Sequence, residues 1–556
     1  MKIKNSMPQS SLPSCRHSIW QCGPRQRGGR KLGISLLLAL AFVCALVRSA
    51  AFAGTPSALT GGATSAPATA PDDFDAEQRD LERQKQEIDA KLAELAARRH
   101  RLPSATQPSA NRTSTSLPAA PEGKKPGTPE QATPQAEPIQ TASNLNWYDV
   151  HGQFTVISQK HDAFSDPYNG PRSLMSDEPF RTSVTGTLFM GAHLPWKGGE
   201  AYFDPEIAGG EGFSGVQGIA GFPNGEIPRV ASPDPEPYVA RLFYRQTFGF
   251  GGESEKIEDG PNQLAGEQDI SRLTVTLGKF SAVDYFQQSA YANDPRSQFE
   301  NWGLFTDGAW DYPADTRGYT EGAVFELNGH NWTLRYGLMA EPKTANGGTL
   351  DSRILDALGH SLEYEQRWTL GKHPGSAKLM GFVNRSDAGK YREAIDNPGP
   401  NGPDVTLSRT FRDKYGIGLT IDQELTDDLG AFTRMGWNDG HSETWAFTEI
   451  DRSVAVGLSL KGTKWHHPDD VIGLAGTINW LSKDHRDYLG AGGLGFIIGD
   501  GQLPDYAPEE IIETYYNFKL AEHVFVTPDF QFVDHPAYNA DRGPVFIGGV
   551  RVHVEF

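Results

Sequence analysis

The residues with the clearest chemical potential lie in a central segment where the strand-like alternation of the surrounding sequence fails. Residues 291–319 contain these charged and aromatic side chains: Asp294, Arg296, Trp310, Asp311, Asp315 and Arg317. Planar Arg groups and carboxylates can replace the hydrogen bonds that a hydroxyl-rich solute makes with water, while an aromatic ring packs against its C–H surface. The segment is therefore a candidate constriction for a neutral polar solute. The alternative is a structural loop whose Asp and Arg side chains pair with each other.

Two more arginines lie upstream on a predicted strand. Arg241 and Arg245 occupy the face opposite Leu242, Tyr244 and Phe248, so a period of two directs both to the same side. The same rule predicts inward-pointing side chains for three other arginines: Arg335, Arg434 and Arg551. For each of them, a solvated charge paired with a neighbouring acid is the alternative to contact with a solute.

The carboxyl-terminal residues 546–556 indicate what these arginines point into. Apolar side chains alternate with Arg551, His553 and Glu555, so one face suits lipid and the other suits water. The segment resembles the final strand of a bacterial outer-membrane barrel, in which a terminal aromatic residue, here Phe556, is the assembly signal. A strand of a soluble β-sandwich would give the same alternation.

Residues 146–556 contain many such alternating segments and no convincing amphipathic helix. Sixteen candidate strands lie near residues 152, 182, 200, 240, 272, 319, 332, 360, 375, 409, 429, 448, 469, 509, 524 and 546. An even number suits an antiparallel transmembrane β-barrel with both termini in the periplasm. In residues 273–278 and 453–460, small residues alternate with Leu and Val, which leaves room for a lumen. A sandwich or propeller would need a second sheet or repeated blades, and no internal repeat is evident.

The amino terminus has the features of a secretory signal peptide. Residues 1–31 carry basic and no acidic side chains, residues 32–47 form an apolar run, and Ala51-Phe52-Ala53 offers a small-residue cleavage site. Arg48 limits the run to 16 residues, short of the roughly 20 that a membrane-spanning helix needs. We expect residues 1–53 to be removed, together with the three cysteines Cys15, Cys22 and Cys44. No disulfide framework or thiolate metal site is then available.

Three segments precede the strand-rich region. Residues 54–71 have the composition of a flexible segment. In residues 72–102 an apolar side chain recurs every seven residues: Phe74, Leu81, Ile88, Leu95 and Leu102. This spacing predicts a short coiled-coil helix that self-associates, with a homotrimer among the candidate states, although its mostly polar second seam also fits a lone solvated helix. Pro103 ends the helix, and residues 103–145 are predicted to be a disordered linker.

Charge excludes one class of partner. The chain has 51 basic and 70 acidic residues, and residues 1–53 contain eight of the basic and none of the acidic ones, so the remainder has a formal charge of about −27. Such a protein is a poor ligand for nucleic acid. We expect no cofactor and no metal, because the sequence shows neither a phosphate-binding loop nor a cluster of His and Cys ligands.

Several separate motifs, in order, resemble the carbohydrate-selective porins of the OprB family. They are Gly221-Phe222-Pro223-Asn224-Gly225-Glu226, Val275-Thr276-Leu277-Gly278-Lys279-Phe280, Tyr291-Ala292-Asn293-Asp294-Pro295-Arg296, Asn301-Trp302, the run from Ala309 to Tyr319, and the run from Pro536 to Val545. The resemblance implies a sixteen-stranded outer-membrane channel for glucose and similar small neutral sugars. It also implies a constriction lined by arginines, acids and aromatic residues, and assembly by the barrel-assembly machinery.

Other functions remain open at this point. A secreted glycoside hydrolase or a barrel with a lipid-hydrolysing Ser and His site would need a local catalytic motif, and none is present. A general porin or an exporter of anionic polysaccharide would keep the barrel, but the exporter requires a lumen dominated by Arg and Lys. The coiled-coil segment could instead tie the outer membrane to the cell wall.

Overall fold

The structure, a computed structural model, describes residues 147–227 and 232–556. Its strands are β1 Tyr148–His161, β2 Arg181–His193, β3 Gly199–Gly210, β4 Glu236–Gly249, β5 Ser254–Ile257, β6 Gly266–Asp269, β7 Arg272–Phe280, β8 Thr320–Asn328, β9 Trp332–Ala340, β10 Leu358–Leu370, β11 His373–Ala388, β12 Thr410–Glu424, β13 Leu429–Asn438, β14 Arg452–Gly462, β15 His467–Trp480, β16 Glu509–Ala521, β17 Val524–Asp534 and β18 Val545–Glu555. The α-helices of the described residues are short: Trp302–Phe305, Tyr391–Asp396 and Lys483–Gly490. None of them is long and apolar enough to cross a membrane.

Sixteen of the strands form one closed antiparallel barrel, as the alternation predicted. Every strand pairs with its neighbour along the chain, except that β4 pairs with β7, and β1 closes the sheet against β18 with Thr155 opposite His553. β5 and β6 form a separate two-stranded hairpin within the connection from β4 to β7. Closure leaves no barrel strand with an unpaired edge, which is the condition for a sheet to sit in lipid.

Side chains alternate between the two faces of the wall as expected. In β14, Val454, Val456 and Leu458 are exposed on the outside, while the small residues between them are buried on the inside. In β18, Phe546 and Val550 point outward and Arg551 points inward with its side chain fully buried. Lipid can therefore contact the outer face, and the polar residues face the enclosed space, which we call the bore.

The two ends of the barrel differ in their connections. At the end where β1 begins and β18 finishes, here called the terminal end, most connections are turns of a few residues, such as 329–331 and 522–523. The opposite loop end carries the long connections, including 281–319 and 481–508. The exception at the terminal end is the connection 250–271, which contains the β5–β6 hairpin.

Aromatic residues mark the outer rim at the terminal end. The Trp196 indole nitrogen donates to the Tyr244 hydroxyl at 3.3 Å, and the Trp465 indole nitrogen donates to the Tyr516 hydroxyl at 3.0 Å. Trp and Tyr side chains combine an apolar ring with a polar N–H or O–H group, so they suit the boundary between lipid and water. The predicted signal peptide, coiled-coil helix and linker lie outside the described residues.

Candidate functional site

Connections enter the bore from both ends, and two of them meet at the candidate site. The loop 281–319, between β7 and β8, comes from the loop end and contains the charged segment singled out in the sequence. The connection 250–271 comes from the terminal end. Both contact the inner faces of β3 and β4, where Arg241 and Arg245 lie. This part of the wall is therefore the candidate site.

Polar wall residues hold the loop 281–319 across the bore. The Arg434 guanidinium, on β13, donates to the carbonyl oxygens of Leu304 and Ala292 at 2.5 Å each and of Gln287 at 3.1 Å. Other inward side chains contact the loop backbone from β10, β12, β16 and β18: Glu363, Asp422, Glu513 and Arg551. Sequence alternation correctly predicted that Arg335, Arg434 and Arg551 point inward, and two of them bind this loop.

A buried carboxylate group strengthens the attachment near the middle of the loop. The Glu513 carboxylate accepts hydrogen bonds from the backbone nitrogens of Glu300 and Asn301, at 2.5 and 2.9 Å. Glu300 lies 3.3 Å from the Arg551 guanidinium. Burial, reinforced by nearby Asp529, raises the pKa of the Glu300 carboxyl well above its ordinary value. The loop is thus held at a cluster of buried acids, of which Glu300 pairs with the Arg551 guanidinium.

Trp310 lies in an aromatic core that shapes the loop. Its side chain is 1% exposed, and its ring packs against Tyr312 at 5.0 Å and Phe286 at 6.2 Å between centroids. Phe447, from the connection 439–451, stacks on both Trp302 and Tyr312. Trp310 Nε1 has no hydrogen-bond acceptor among the described residues. Its position therefore supports the loop from within and does not present a ring face to the bore.

The four predicted arginines all meet carboxylates. Arg241 forms two hydrogen bonds of 2.7 Å with Asp284 of the loop 281–319, and its guanidinium also lies 3.6 Å from Asp204. Arg245 lies 3.7 Å from Glu200, as an inward-facing residue of β4 should. Pairing fixes these planar groups, whose side chains are 10% and 19% exposed.

Arg296 and Arg317 of the loop reach the same wall. Arg296 binds Glu226 at 2.8 Å and Glu206 at 3.1 Å. Arg317 lies over the ring of Tyr238, 4.0 Å from its centroid, and binds Glu236 at 3.2 Å.

Tyr319 completes this surface. Its hydroxyl donates to Glu206 at 3.0 Å, and its ring lies below Arg241 at 5.4 Å and Lys279 at 5.9 Å. The wall thus combines arginine forks, carboxylates and tyrosine rings, the groups that the sequence analysis required for a polar solute.

The three predicted aspartates of the loop have other contacts. Asp294 accepts from the backbone nitrogen of Arg296 at 2.9 Å. Asp315 accepts from the backbone nitrogens of Arg317 and Tyr319 at 3.0 and 3.1 Å, and burial raises its pKa. Both carboxylates therefore shape the turns that present Arg296 and Arg317.

Asp311 lies elsewhere, at the loop end. It accepts from the backbone nitrogens of Trp445 and Ala446 at 2.9 and 2.7 Å and lies 3.3 Å from Lys414. Like Trp310, it joins the loop 281–319 to a neighbouring connection. The structure therefore brings Arg241, Arg245, Arg296 and Arg317 to one wall and places Trp310 and Asp311 behind the loop.

The acids that face the arginines were absent from the sequence prediction. Glu200, Asp204 and Glu206 alternate on β3 at the inward positions, so period-two spacing could have found them. Asp284 had no such signal, because it lies outside the strands, in a 3-10 turn at the start of the loop 281–319.

The hairpin connection narrows the terminal end. Asn262 donates from its amide nitrogen to Asp204 at 2.9 Å, and its carbonyl oxygen accepts from Arg245 at 3.0 Å. Leu264 is buried and packs with Tyr202 and Phe243 of the wall. The tip of the connection, residues 258–265, therefore occupies the mouth of the bore.

Comparison with known proteins identifies the class of this barrel. Residues 190–556, about two thirds of the chain, match the family described as "Carbohydrate-selective porin, OprB family". The chain belongs to the OprB family. Family and fold together point to a channel of the bacterial outer membrane rather than an enzyme.

Individual relatives are distant. The chain is 27% identical over 138 residues to "Porin AaxA" of Chlamydia abortus and 25% identical over the same length to "Porin AaxA" of Chlamydia felis. Each match covers 25% of this chain and 27% of the relative. The chain thus spans about a quarter of the length of these curated relatives.

A solved structure supports the fold. The structure titled "High pH structure of Pseudomonas putida OprB" is similar with a TM-score of 0.54 at 15% identity. The similarity covers 74% of this chain and 94% of that one. It supports the OprB barrel architecture seen here.

Proposed function

We propose that this OprB-family porin mediates passive diffusion of small neutral sugars such as glucose, with selectivity set on the wall of β3 and β4. The observation that carries the proposal is the Arg317 guanidinium lying 4.0 Å above the Tyr238 ring beside the paired Arg241 and Arg296. Arginine forks can donate to sugar hydroxyls, and the Tyr238 ring holds the Arg317 fork in place by a cation–π contact.

Charge balance on this wall supports a neutral solute. Each of Arg241, Arg245, Arg296 and Arg317 has a carboxylate within 4 Å. A wall with both signs interspersed has little net attraction for a polyanion, which would favour a lumen dominated by one sign. The arrangement therefore favours sugar diffusion over the alternative of an anionic-polysaccharide channel.

Hydrogen bonds to a solute should be individually weak. Each contributes on the order of 1 kcal/mol, and a channel needs a solute to leave as readily as it enters. No energy source is required. We propose that the eight residues predicted from sequence act in two groups: the four arginines at the solute surface, and Asp294, Trp310, Asp311 and Asp315 in holding the loop.

Liposome swelling tests the proposal. Vesicles containing the purified full-length protein should swell faster in glucose than in an amino acid of similar size, and slowly in the anionic sugar acid gluconate. Equal rates for glucose and the amino acid would indicate a general porin. Faster entry of gluconate than of glucose would indicate an anion channel.

The amino-terminal segments also remain proposals. We propose that residues 72–102 self-associate in the periplasm and that residues 103–145 link them to the barrel. Analytical ultracentrifugation of the isolated segment should then show an oligomer that polar replacement of Leu81, Ile88 and Leu95 removes. A monomer at high concentration would contradict this.

A further inference from the structure

The tip of the hairpin connection meets β1 at a cluster of metal-ligating side chains. His151 Nε2 lies 2.6 Å from Asp149 Oδ2 and 3.7 Å from Asp259 Oδ2, and the three atoms lie within 4.8 Å of one another. Asp149 and His151 sit two residues apart on the inner face of β1, whereas Asp259 comes from the tip 258–265. The cluster therefore joins the barrel wall to a segment that enters the bore.

Hydrogen bonds among these three side chains cannot satisfy both carboxylates. A neutral imidazole has one N–H, and Nε2 can donate to only one of two carboxylates. Asp149 takes the shorter contact and is held in place by a 2.8 Å hydrogen bond from the Val150 backbone nitrogen to its other oxygen. Lys256 acts electrostatically on Asp259, but its ammonium binds Glu258 at 2.8 Å. Across residues 147–227 and 232–556, no lysine or arginine lies within ion-pair distance of Asp149 or Asp259. Two carboxylates thus converge on one imidazole nitrogen.

A divalent ion would satisfy all three groups at once. Zinc binds imidazole nitrogen and carboxylate oxygen at about 2.0 to 2.2 Å, so two ligand atoms on a tetrahedral ion lie about 3.4 Å apart. The distances from His151 Nε2 to Asp149 Oδ2 and Asp259 Oδ2, 2.6 and 3.7 Å, lie on either side of that separation. One nitrogen and two oxygen ligands, with water in the remaining position, suit a first-row transition metal better than calcium, which prefers oxygen ligands.

We propose that Asp149, His151 and Asp259 form a divalent transition-metal site of the Zn²⁺ type, which fastens the tip 258–265 to β1 across the terminal mouth of the bore. No local motif indicates this site, because residues 149 and 259 are far apart in the chain. Occupancy holds Asn262 and Leu264 in their contacts with Asp204 and the wall, so the ion steadies the narrow state of the mouth.

A second cluster of the same kind could also bind a metal ion in the test. His373 Nδ1 lies 2.9 Å from Glu424 and 3.9 Å from Asp427, but Asp427 also binds Lys372 at 2.6 Å. The test therefore uses the full-length protein carrying His373→Gln as its parent. His151→Gln and Asp259→Asn are added separately, and His523→Gln, an exposed histidine of the 522–523 turn, is the matched control.

Metal binding is measured with Co²⁺ as a spectroscopic probe of Zn²⁺ sites, followed by Zn²⁺ competition. The parent and the His523→Gln control should bind one tight equivalent, and His151→Gln and Asp259→Asn should each lose it or bind at least about tenfold more weakly.

In planar bilayers, Zn²⁺ should lower conductance fluctuations of the parent and leave those of His151→Gln unchanged. Equal Co²⁺ stoichiometry in the parent and both ligand variants would overturn the proposal. So would tight binding of Ca²⁺ without Co²⁺.

Discussion

The Arg245 guanidinium donates a hydrogen bond of 3.0 Å to the carbonyl oxygen of Asn262, so a wall strand directly holds the tip of the hairpin connection. Asp204 extends this link, because its carboxylate lies 2.9 Å from the Asn262 amide nitrogen and 3.6 Å from Arg241. Arg241 in turn binds Asp284 of the loop 281–319. The two segments that enter the bore from opposite ends therefore share one polar network on β3 and β4.

Leu264→Ala should loosen the hairpin connection and raise single-channel conductance. Leu264 is 3% exposed and packs with Tyr202 and Phe243, and truncating a buried leucine costs about 2 to 5 kcal/mol. Planar-bilayer recordings should show a larger and noisier current. Leu520→Ala, at a 61% exposed leucine of the same end, is the control and should behave as wild type. Wild-type conductance in Leu264→Ala would show that the tip does not limit the current.

Arg434→Met should release part of the loop 281–319. The guanidinium serves three backbone carbonyl oxygens, and each lost hydrogen bond costs about 1 kcal/mol. We expect a lower temperature for the heat-induced mobility shift in gel electrophoresis and frequent current substates. Arg452→Met, on the outer face of β14, removes the same group from a position that does not touch the loop. If both variants behaved alike, anchoring by Arg434 would be refuted.

Arg317→Ala should widen the constriction and weaken solute contact. Its guanidinium covers the Tyr238 ring at 4.0 Å, so its removal opens space and deletes a hydrogen-bond donor. Ion conductance should rise and the block of current by added glucose should fall by several fold. Arg385→Ala, whose side chain points outward beside Asp413, should change neither quantity. Unchanged block in Arg317→Ala would move the solute contact away from this wall.

Features that depend on residues close together in the chain could be predicted from the sequence, and contacts between distant residues could not. Alternation predicted the sixteen strands and the inward arginines correctly. Each strand shows a period of two within its own sequence, and its apolar residues must face the lipid. The segment predicted near residue 448 begins slightly later, at Arg452.

Alternation could not predict which side chains pair across the bore, because these partners are far apart in the chain. Arg296 meets Glu206 of β3 and Glu226 of the connection that follows β3, which are 90 and 70 residues away, only because the loop 281–319 folds back against both. Trp310 was expected at the solute surface, but it is buried in an aromatic cluster that Phe447 joins from another connection by stacking on Tyr312. Gly260-Pro261-Asn262-Gln263 has the residues of a tight turn, but nothing local shows that the turn enters the barrel.

The attachment of the loop 281–319 should depend on pH through Asp307. Burial raises the pKa of this carboxyl from 3.8 to about 6, and it outweighs the hydrogen bonds from Ala309 and Ser453 and the nearby Arg434 charge, which lower the pKa. The folded state therefore keeps a proton that the unfolded chain loses near pH 4, and this contribution to stability disappears as the pH rises through about 6. Two pKa units correspond to about 3 kcal/mol.

Asp307→Asn tests that dependence because the amide stays neutral. The temperature of the heat-induced mobility shift should fall between pH 4 and pH 7.5 in wild type and fall less in Asp307→Asn. The exposed Glu522→Gln should keep the wild-type profile. Parallel profiles for wild type and Asp307→Asn would exclude Asp307 as the titrating group.

The terminal residue should matter more for assembly than an equivalent aromatic residue inside the strand. Phe556 exchanges two backbone hydrogen bonds of 2.9 Å with Gly152 of β1, at the seam where the barrel closes. Its ring lies over Gly152 so closely that a Cβ there would come within 2.2 Å of the ring.

Deleting Phe556 removes both hydrogen bonds and the terminal side chain, and Gly152→Ala displaces the ring alone. We expect the assembled, heat-modifiable fraction in outer membranes to fall strongly on deletion and less in Gly152→Ala. Phe546→Ala, which truncates an outward-facing aromatic residue of the same strand, should have the smallest effect. Equal losses for the deletion and Phe546→Ala would mean that lipid-facing area, and not the terminal position, governs assembly.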